Sequence, residues 1–305
     1  MSAADPTADT ALGAEGRARI GAARRSTKLR DFGFVGALIL LTSVGLVVLA
    51  MLLIDVGRNG LPQLDLDFLT SFPSAFPKKA GIESAFVGTL WLMGVVAAVI
   101  IPLGVATAIY LEQYADPTKW WNRLIEVNIQ NLAAVPSIVY GILGLAYIVR
   151  GPLDLGRTVL AGGLTLSLVV LPMVIVASRE AIRAVPPSIK EGALALGCTQ
   201  WQALWRQVLP ASIPGIATGV ILSISRAIGE TAPLILVGAA TFVAFNPTGL
   251  DSAYTAMPLQ IFSWISQPKA EFHELAAAAI VVLMVMLVIL NAAAIWLRNR
   301  YEKRW

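Results

Sequence analysis

The chain has 305 residues, 57% of them hydrophobic and only 14% charged, with a mean hydropathy of +0.73. Soluble domains are about 45–50% apolar and about 25% charged, so this chain has too little polar surface to cover a water-soluble globule. A single cysteine, Cys198, excludes a disulfide scaffold, and the net charge of +4 bears on membrane orientation rather than on nucleic acid, which is not an expected partner.

Residues 1–33 form a polar, Ala/Gly-rich leader with six basic residues, expected to be cytoplasmic and disordered. A bilayer core takes about 20 apolar residues per helix. Six segments meet that length: 34–54, 84–111, 124–149, 158–178, 211–243 and 275–297. None alternates like a membrane barrel strand, so the expected class is an all-α polytopic membrane protein with six transmembrane helices. The first segment exceeds a signal-peptide apolar region of about 7–15 residues and reads as a retained anchor. The loop 55–83 carries Pro62, Pro73 and Pro77 and should be ordered only by packing. Sixteen of the 23 Lys and Arg residues fall on the side of the N-terminus, including the basic tail 298–305, and six on the other. That bias predicts two cytoplasmic termini in a cytoplasmic membrane.

Between the fourth and fifth spans, residues 179–210 are too polar to cross a membrane and too patterned for an idle loop. Ser188-Ile189-Lys190-Glu191 fits a capping box, as does Thr199-Gln200-Trp201-Gln202. Gly197 is placed to end the first short helix, and Pro210 to close the segment. The segment reads either as an interfacial helix pair capping the bundle or as a docking surface for a cytoplasmic protein.

The fifth span holds Arg226 and Glu230, four residues apart and so on one helix face. Charge at mid-bilayer costs about 2.5–3.5 kcal/mol and normally faces a bundle interior or a wet cavity. Pro233 cannot bond back to Gly229, so a kink or unwound turn is expected there. The pair is either a self-satisfied structural link or a pathway site in which Arg226 attracts an oxyanion and Glu230 orients it and eases release. Pro102, Pro136 and Pro172 should kink their spans, and Trp120, Trp121, Trp296 and Trp305 read as interfacial anchors. His273 is the only histidine, Cys198 has no partner and Ser137 has no histidine for a triad, so no metal site and no enzyme chemistry are expected. No G-x-x-x-x-G-K-[ST] pattern occurs, so any nucleotide must bind elsewhere.

Three segments carry a family resemblance. Glu191-Gly192-Ala193, Gly197 and Leu209-Pro210 resemble the coupling-loop motif of ABC-importer permeases, with Gly192 replacing an alanine and Gln207 an isoleucine of the pattern. Ser225-Arg226-Ala227-Ile228-Gly229-Glu230-Thr231-Ala232-Pro233, with Ala134-Val135-Pro136-Ser137-Ile138-Val139-Tyr140-Gly141, is similar to the phosphate-specific branch and its A-type permease. The likeness covers about residues 84–243; the leader and the loop 55–83 carry no matching motif. It implies a type I importer permease core over residues 84–297 with a coupling segment, 188–209. It further implies a paralogous C-type permease, two copies of a cytoplasmic ATPase, an extracytoplasmic phosphate-binding protein, and no cofactor in this chain. By the same resemblance Arg226, Glu230, Thr231 and Ser225 belong to the substrate pathway, and Glu191, Gly192, Ala193 and Gly197 to the ATPase contact. A permease for molybdate or sulfate is the alternative within the class. A self-contained ion-coupled carrier is less favoured, since no internal repeat and few buried carboxylates are found.

Overall fold

The computed structural model describes residues 6–239 and 242–301. The first five residues of the leader and the last four of the basic tail lie outside the described residues. The chain divides into two units, one ending at Asp55 and one beginning at Val56.

Helix α1 (Pro6–Gly60) occupies the first unit and ends in the second. The leader was expected without regular structure, yet it is helical from Pro6. Its Ala, Arg, Leu and Glu residues are strong helix formers, and a helix nucleated in the apolar stretch extends backwards at propagation cost alone.

The second unit comprises α2 (Leu66–Thr70), α3 (Glu83–Ile109), α4 (Trp120–Ala133), α5 (Ser137–Leu143), α6 (Val159–Arg183), α7 (Pro187–Ala195), α8 (Gln200–Ala203), α9 (Leu209–Gly229), α10 (Ala232–Leu236), α11 (Met257–Ile265) and α12 (Ala270–Tyr301). Its centre is the α3–α6–α9 layer. Leu92, Val96 and Ile100 recur every fourth residue on α3, and Leu166, Val170 and Val174 do so on α6; these faces pack with Ala227 and Ile228 of α9. Helices in lipid gain little from burial as such, so close packing and satisfied polar groups hold them together. Two buried hydroxyls of α6 comply by bonding back one turn: Thr165 to the Ala161 carbonyl at 2.8 Å and Ser167 to that of Gly163 at 2.7 Å.

The loop 55–83 is ordered by packing, as expected. Asp65 caps α2 by accepting from the Phe68 amide at 2.6 Å. Phe68 and Ile82 then pack with Met257 and Trp264 of α11 and Phe272 of α12. The loop between α10 and α11 caps α6: the Val159 amide donates to the Ser252 carbonyl at 3.0 Å and that of Leu160 to Leu250 at 2.9 Å. These bonds satisfy amides that a helix start leaves without internal partners.

Among the described residues five helices are long and apolar enough to cross a membrane, or six if one bent pair counts as a single span. Two expected spans differ from their predicted form. Residues 124–149 do not make one straight helix: α4 and the helix from Ser137 to Val149 meet at 108°. Pro136 forces its predecessor towards extended backbone, and this ends α4 at the Ala134–Pro136 break. The fifth span does not run to residue 243 but stops at Gly229, where Glu230 turns extended (φ −76°, ψ 115°).

Candidate functional site

Both breaks lie inside sequence motifs, and the fold brings them together. α5 packs on α10 so closely that a Cβ on Gly141 would stand 2.8 Å from the Pro233 Cα and 2.9 Å from Leu236 Cδ1. Only glycine admits that approach. Tyr140, buried beside it, donates its hydroxyl to the Leu132 carbonyl at 2.8 Å and so ties α5 back to the end of α4. The unwound turn expected before Pro233 is present: α9 ends, Glu230 and Thr231 link, and α10 starts with Pro233 in its first turn.

Arg226 sits in the last turn of α9, where a cation is favoured by the helix dipole. It is therefore at a helix end rather than in the middle of a continuous helix. Its Nε donates to Glu230 Oε1 at 3.2 Å; the arginine side chain is 50% exposed and the glutamate 16%. One carboxylate thus engages one edge of the guanidinium and leaves the remaining donors open. Thr231 follows Glu230 and is half-buried at the start of α10. Ser225 points elsewhere: its hydroxyl bonds back to the Ile221 carbonyl and lies 2.6 Å from Asn291 Oδ1 on α12. The structure joins Arg226, Glu230 and Thr231, and gives Ser225 a helix-packing contact.

The polar segment after α6 folds as two short helices. Gly197 has φ +86° and forms the paired closure of α7: the Cys198 amide donates to the Ala193 carbonyl at 3.1 Å and that of Gly197 to Leu194 at 2.9 Å. The Thr199–Gln202 capping box forms with both bonds. The Ser188–Glu191 box does not: Pro187, already suited to the first helical position, starts α7, so Ser188 lies inside the helix and makes no cap. Pro210 does not close the segment either. α8 and α9 run together as one helix, Gln200–Gly229, through a wide turn at Leu204–Val208 where the Leu209 amide bonds to Leu204. Such a turn absorbs the amide that Pro210 lacks and the crowding of its ring. Glu191, Gly192 and Gly197 are exposed and Ala193 is buried. They share the tip with Leu196, 89% exposed, and the Trp201–Trp205 pair, ring centroids 5.1 Å apart.

Beneath this tip lies a charge cluster that motif reading missed. Arg179 donates to Glu126 at 2.9 Å and approaches Glu112 to 3.6 Å; Arg183 donates to Glu112 at 3.0 Å and to Glu180 at 3.1 Å. Lys190 of α7 donates to Gln113 at 2.7 Å, next to Glu112. Apart from Arg183–Glu180, three residues apart on α6, no local spacing signals these links: Arg179 and Glu126 are 53 residues apart, and Arg183 and Glu112 are 71.

The family model for binding-protein-dependent transport system inner membrane components matches residues 100–305. The probable ABC transporter permease protein YqgI of Bacillus subtilis is 30% identical over 285 residues, covering 90% of this chain and 94% of that one. The phosphate transport system permease protein PstA 1 of Mycobacterium tuberculosis is 34% identical over 265 residues, covering 86% and 84%. Among solved structures, a chain of a bacterial alginate ABC transporter, in complex with its alginate pentasaccharide-bound periplasmic protein, superposes with a TM-score of 0.63 at 16% identity, covering 87% of this chain and 93% of that one.

Proposed function

The chain belongs to the family of binding-protein-dependent transport system inner membrane components, and on that premise we propose that it is the A-type permease subunit of an ATP-driven inorganic phosphate importer. Relatives at 31–34% identity over most of the chain are phosphate permeases by name. The observation that carries the reading is the half-open Arg226–Glu230 pair at the junction of the two breaks. A guanidinium with free donors suits a tetrahedral oxyanion, and the adjacent carboxylate keeps binding weak enough for passage.

Energy comes from outside this chain, which has no phosphate-binding loop for a nucleotide. A separate cytoplasmic ATPase would dock on Glu191, Gly192, Ala193 and Gly197, with Leu196, Trp201 and Trp205 as the apolar part of the contact. This orientation puts both termini in the cytoplasm and the substrate-binding protein on the opposite face, with a paralogous permease completing the pathway. The unbroken helix Gln200–Gly229 gives the coupling a physical form. Its 30 residues reach about 45 Å at 1.5 Å each, so a tilt at the ATPase contact moves Arg226 directly.

The test is Arg226→Gln in the assembled complex. Phosphate uptake should fall at least about tenfold, which is about 1.4 kcal/mol of lost stabilisation, while the permeases and ATPase still co-purify. Normal uptake by an intact complex refutes the pathway role. Wild-type uptake of molybdate or sulfate in preference to phosphate refutes the substrate.

A further inference from the structure

A cavity of about 480 Å³ lies at the end of α6 remote from α7. Arg150 and Arg157 line it, together with Leu145, Ile235, Gly238 and Tyr254, and among the described residues no carboxylate belongs to its wall. Arg179, Arg183 and Arg226 all have acidic partners. Arg150 and Arg157 differ: both are exposed, and among the described residues neither side chain makes an ion pair or a hydrogen bond. Two uncompensated guanidiniums around one concavity are donors without acceptors.

Arg157 is seated rather than loose. Its side chain crosses Gly238, where a Cβ would stand 2.6 Å from Nε and 2.7 Å from Cδ. Gly238, at φ +81°, closes α10 by donating to the Ile235 carbonyl at 3.3 Å, while Ala239 donates to Leu234 at 3.1 Å. Those carbonyls are therefore already used, and the guanidinium is not spent as a helix cap. Tyr254, also in the wall, has a buried hydroxyl with no partner among the described residues. Burial raises its pKa, so it stays an O–H donor.

Position completes the case. α10 has five residues, about 7.5 Å of helix. Glu230 and Thr231 precede it and Gly238 follows it, so the cavity and the Arg226 pair occupy opposite ends of one short helix. A liquid water takes about 30 Å³, so the cavity has room for a tetrahedral oxyanion and part of its hydration shell. We propose that this cavity is a receiving site for inorganic phosphate on its entry side, holding the anion at Arg150 and Arg157 before it reaches Arg226. The proposal rests on the reading of the chain as a phosphate permease. A concave wall favours a small anion over an acidic patch of the substrate-binding protein, which would seat on a flat or convex surface.

The experiment uses the complete complex in proteoliposomes, with ATP inside and phosphate-loaded binding protein outside at saturation. Arg150→Gln combined with Arg157→Gln should lower the initial rate of phosphate uptake at least tenfold. Co-sedimentation of the loaded binding protein with the vesicles should change less than twofold. The double lysine variant, R150K with R157K, should recover most of the rate, because the role is attraction of charge. Uptake by the glutamine variant within twofold of wild type overturns the receiving site and leaves the permease function intact. Loss of uptake together with loss of co-sedimentation also overturns it and makes the arginines a protein-docking patch. A wild-type complex that imports no phosphate overturns both readings.

Discussion

Arg179 and Arg226 are both arginines of long helices facing glutamates, and they are built to opposite ends. The Arg179 side chain is 12% exposed and meets two carboxylates, Glu126 and Glu112, from two other elements. That of Arg226 is 50% exposed and meets one carboxylate, four residues along its own chain. The first charge joins α6 to α4 and to the turn that follows α3. The second is held in place but not neutralised on all sides. Charge in an apolar protein is costly in either setting; the two sites differ in burial and in how many carboxylates face the guanidinium.

Removing Arg179 tests the structural half of this contrast and should have the largest effect. Arg179→Met leaves Glu126 without its partner and Glu112 with Arg183 alone, and breaking a largely buried pair from one side costs about 3 kcal/mol. The detergent-solubilised complex should unfold at a clearly lower temperature, and its yield should drop. Uptake per assembled complex should be nearly preserved. If thermal stability is unchanged, the cluster is not the clamp that its geometry describes.

Gly141 offers a middle-sized perturbation on the other side of the comparison. In Gly141→Ala the new Cβ meets the backbone of Pro233 at 2.8 Å, and a backbone atom cannot rotate away. α5 and α10 must part, at about 1–3 kcal/mol for overpacking. Because α10 begins beside Glu230, uptake should fall several-fold while the Arg179 cluster, probed by the same thermal assay in an Arg179→Met background, adds its own loss independently. Strong coupling between the two changes would mean that the regions are not separate.

The same two regions divide what was legible in the sequence. The apolar runs 84–111, 158–178 and 275–297 overlap α3, α6 and α12. Hydropathy carries no direction, however, so a run that turns by 108° at Pro136 reads like one that goes straight through. The signal for both breaks was proline, visible at Pro136 and Pro233 but not convertible into an angle. Arg226 and Glu230 were found because they are four residues apart on an apolar background. The Arg179 links were not, because Glu126 comes from α4 and Glu112 from the turn after α3, and only the packed fold brings them close. At α7 the competition was local: a Pro-Pro pair set the helix start one residue ahead of the serine expected to cap it.

The smallest structural change should give the clearest view of how Arg226 works. Glu230→Gln keeps the shape of the side chain and removes the charge facing the guanidinium. Because Arg226 is half exposed, solvent compensates it, and the stability change should stay within about 1 kcal/mol, well below that of Arg179→Met. Transport should respond differently. On the proposed pathway role, Arg226 without its counter-charge should attract phosphate more strongly and release it more slowly. Uptake should therefore drop several-fold while labelled phosphate remains longer on the resting complex after rapid filtration. Arg226→Gln should lose uptake and retain nothing. Equal behaviour of the two variants would make the pair a simple link like the one at Arg179; opposite retention separates a carboxylate that regulates release from one that only holds a helix end.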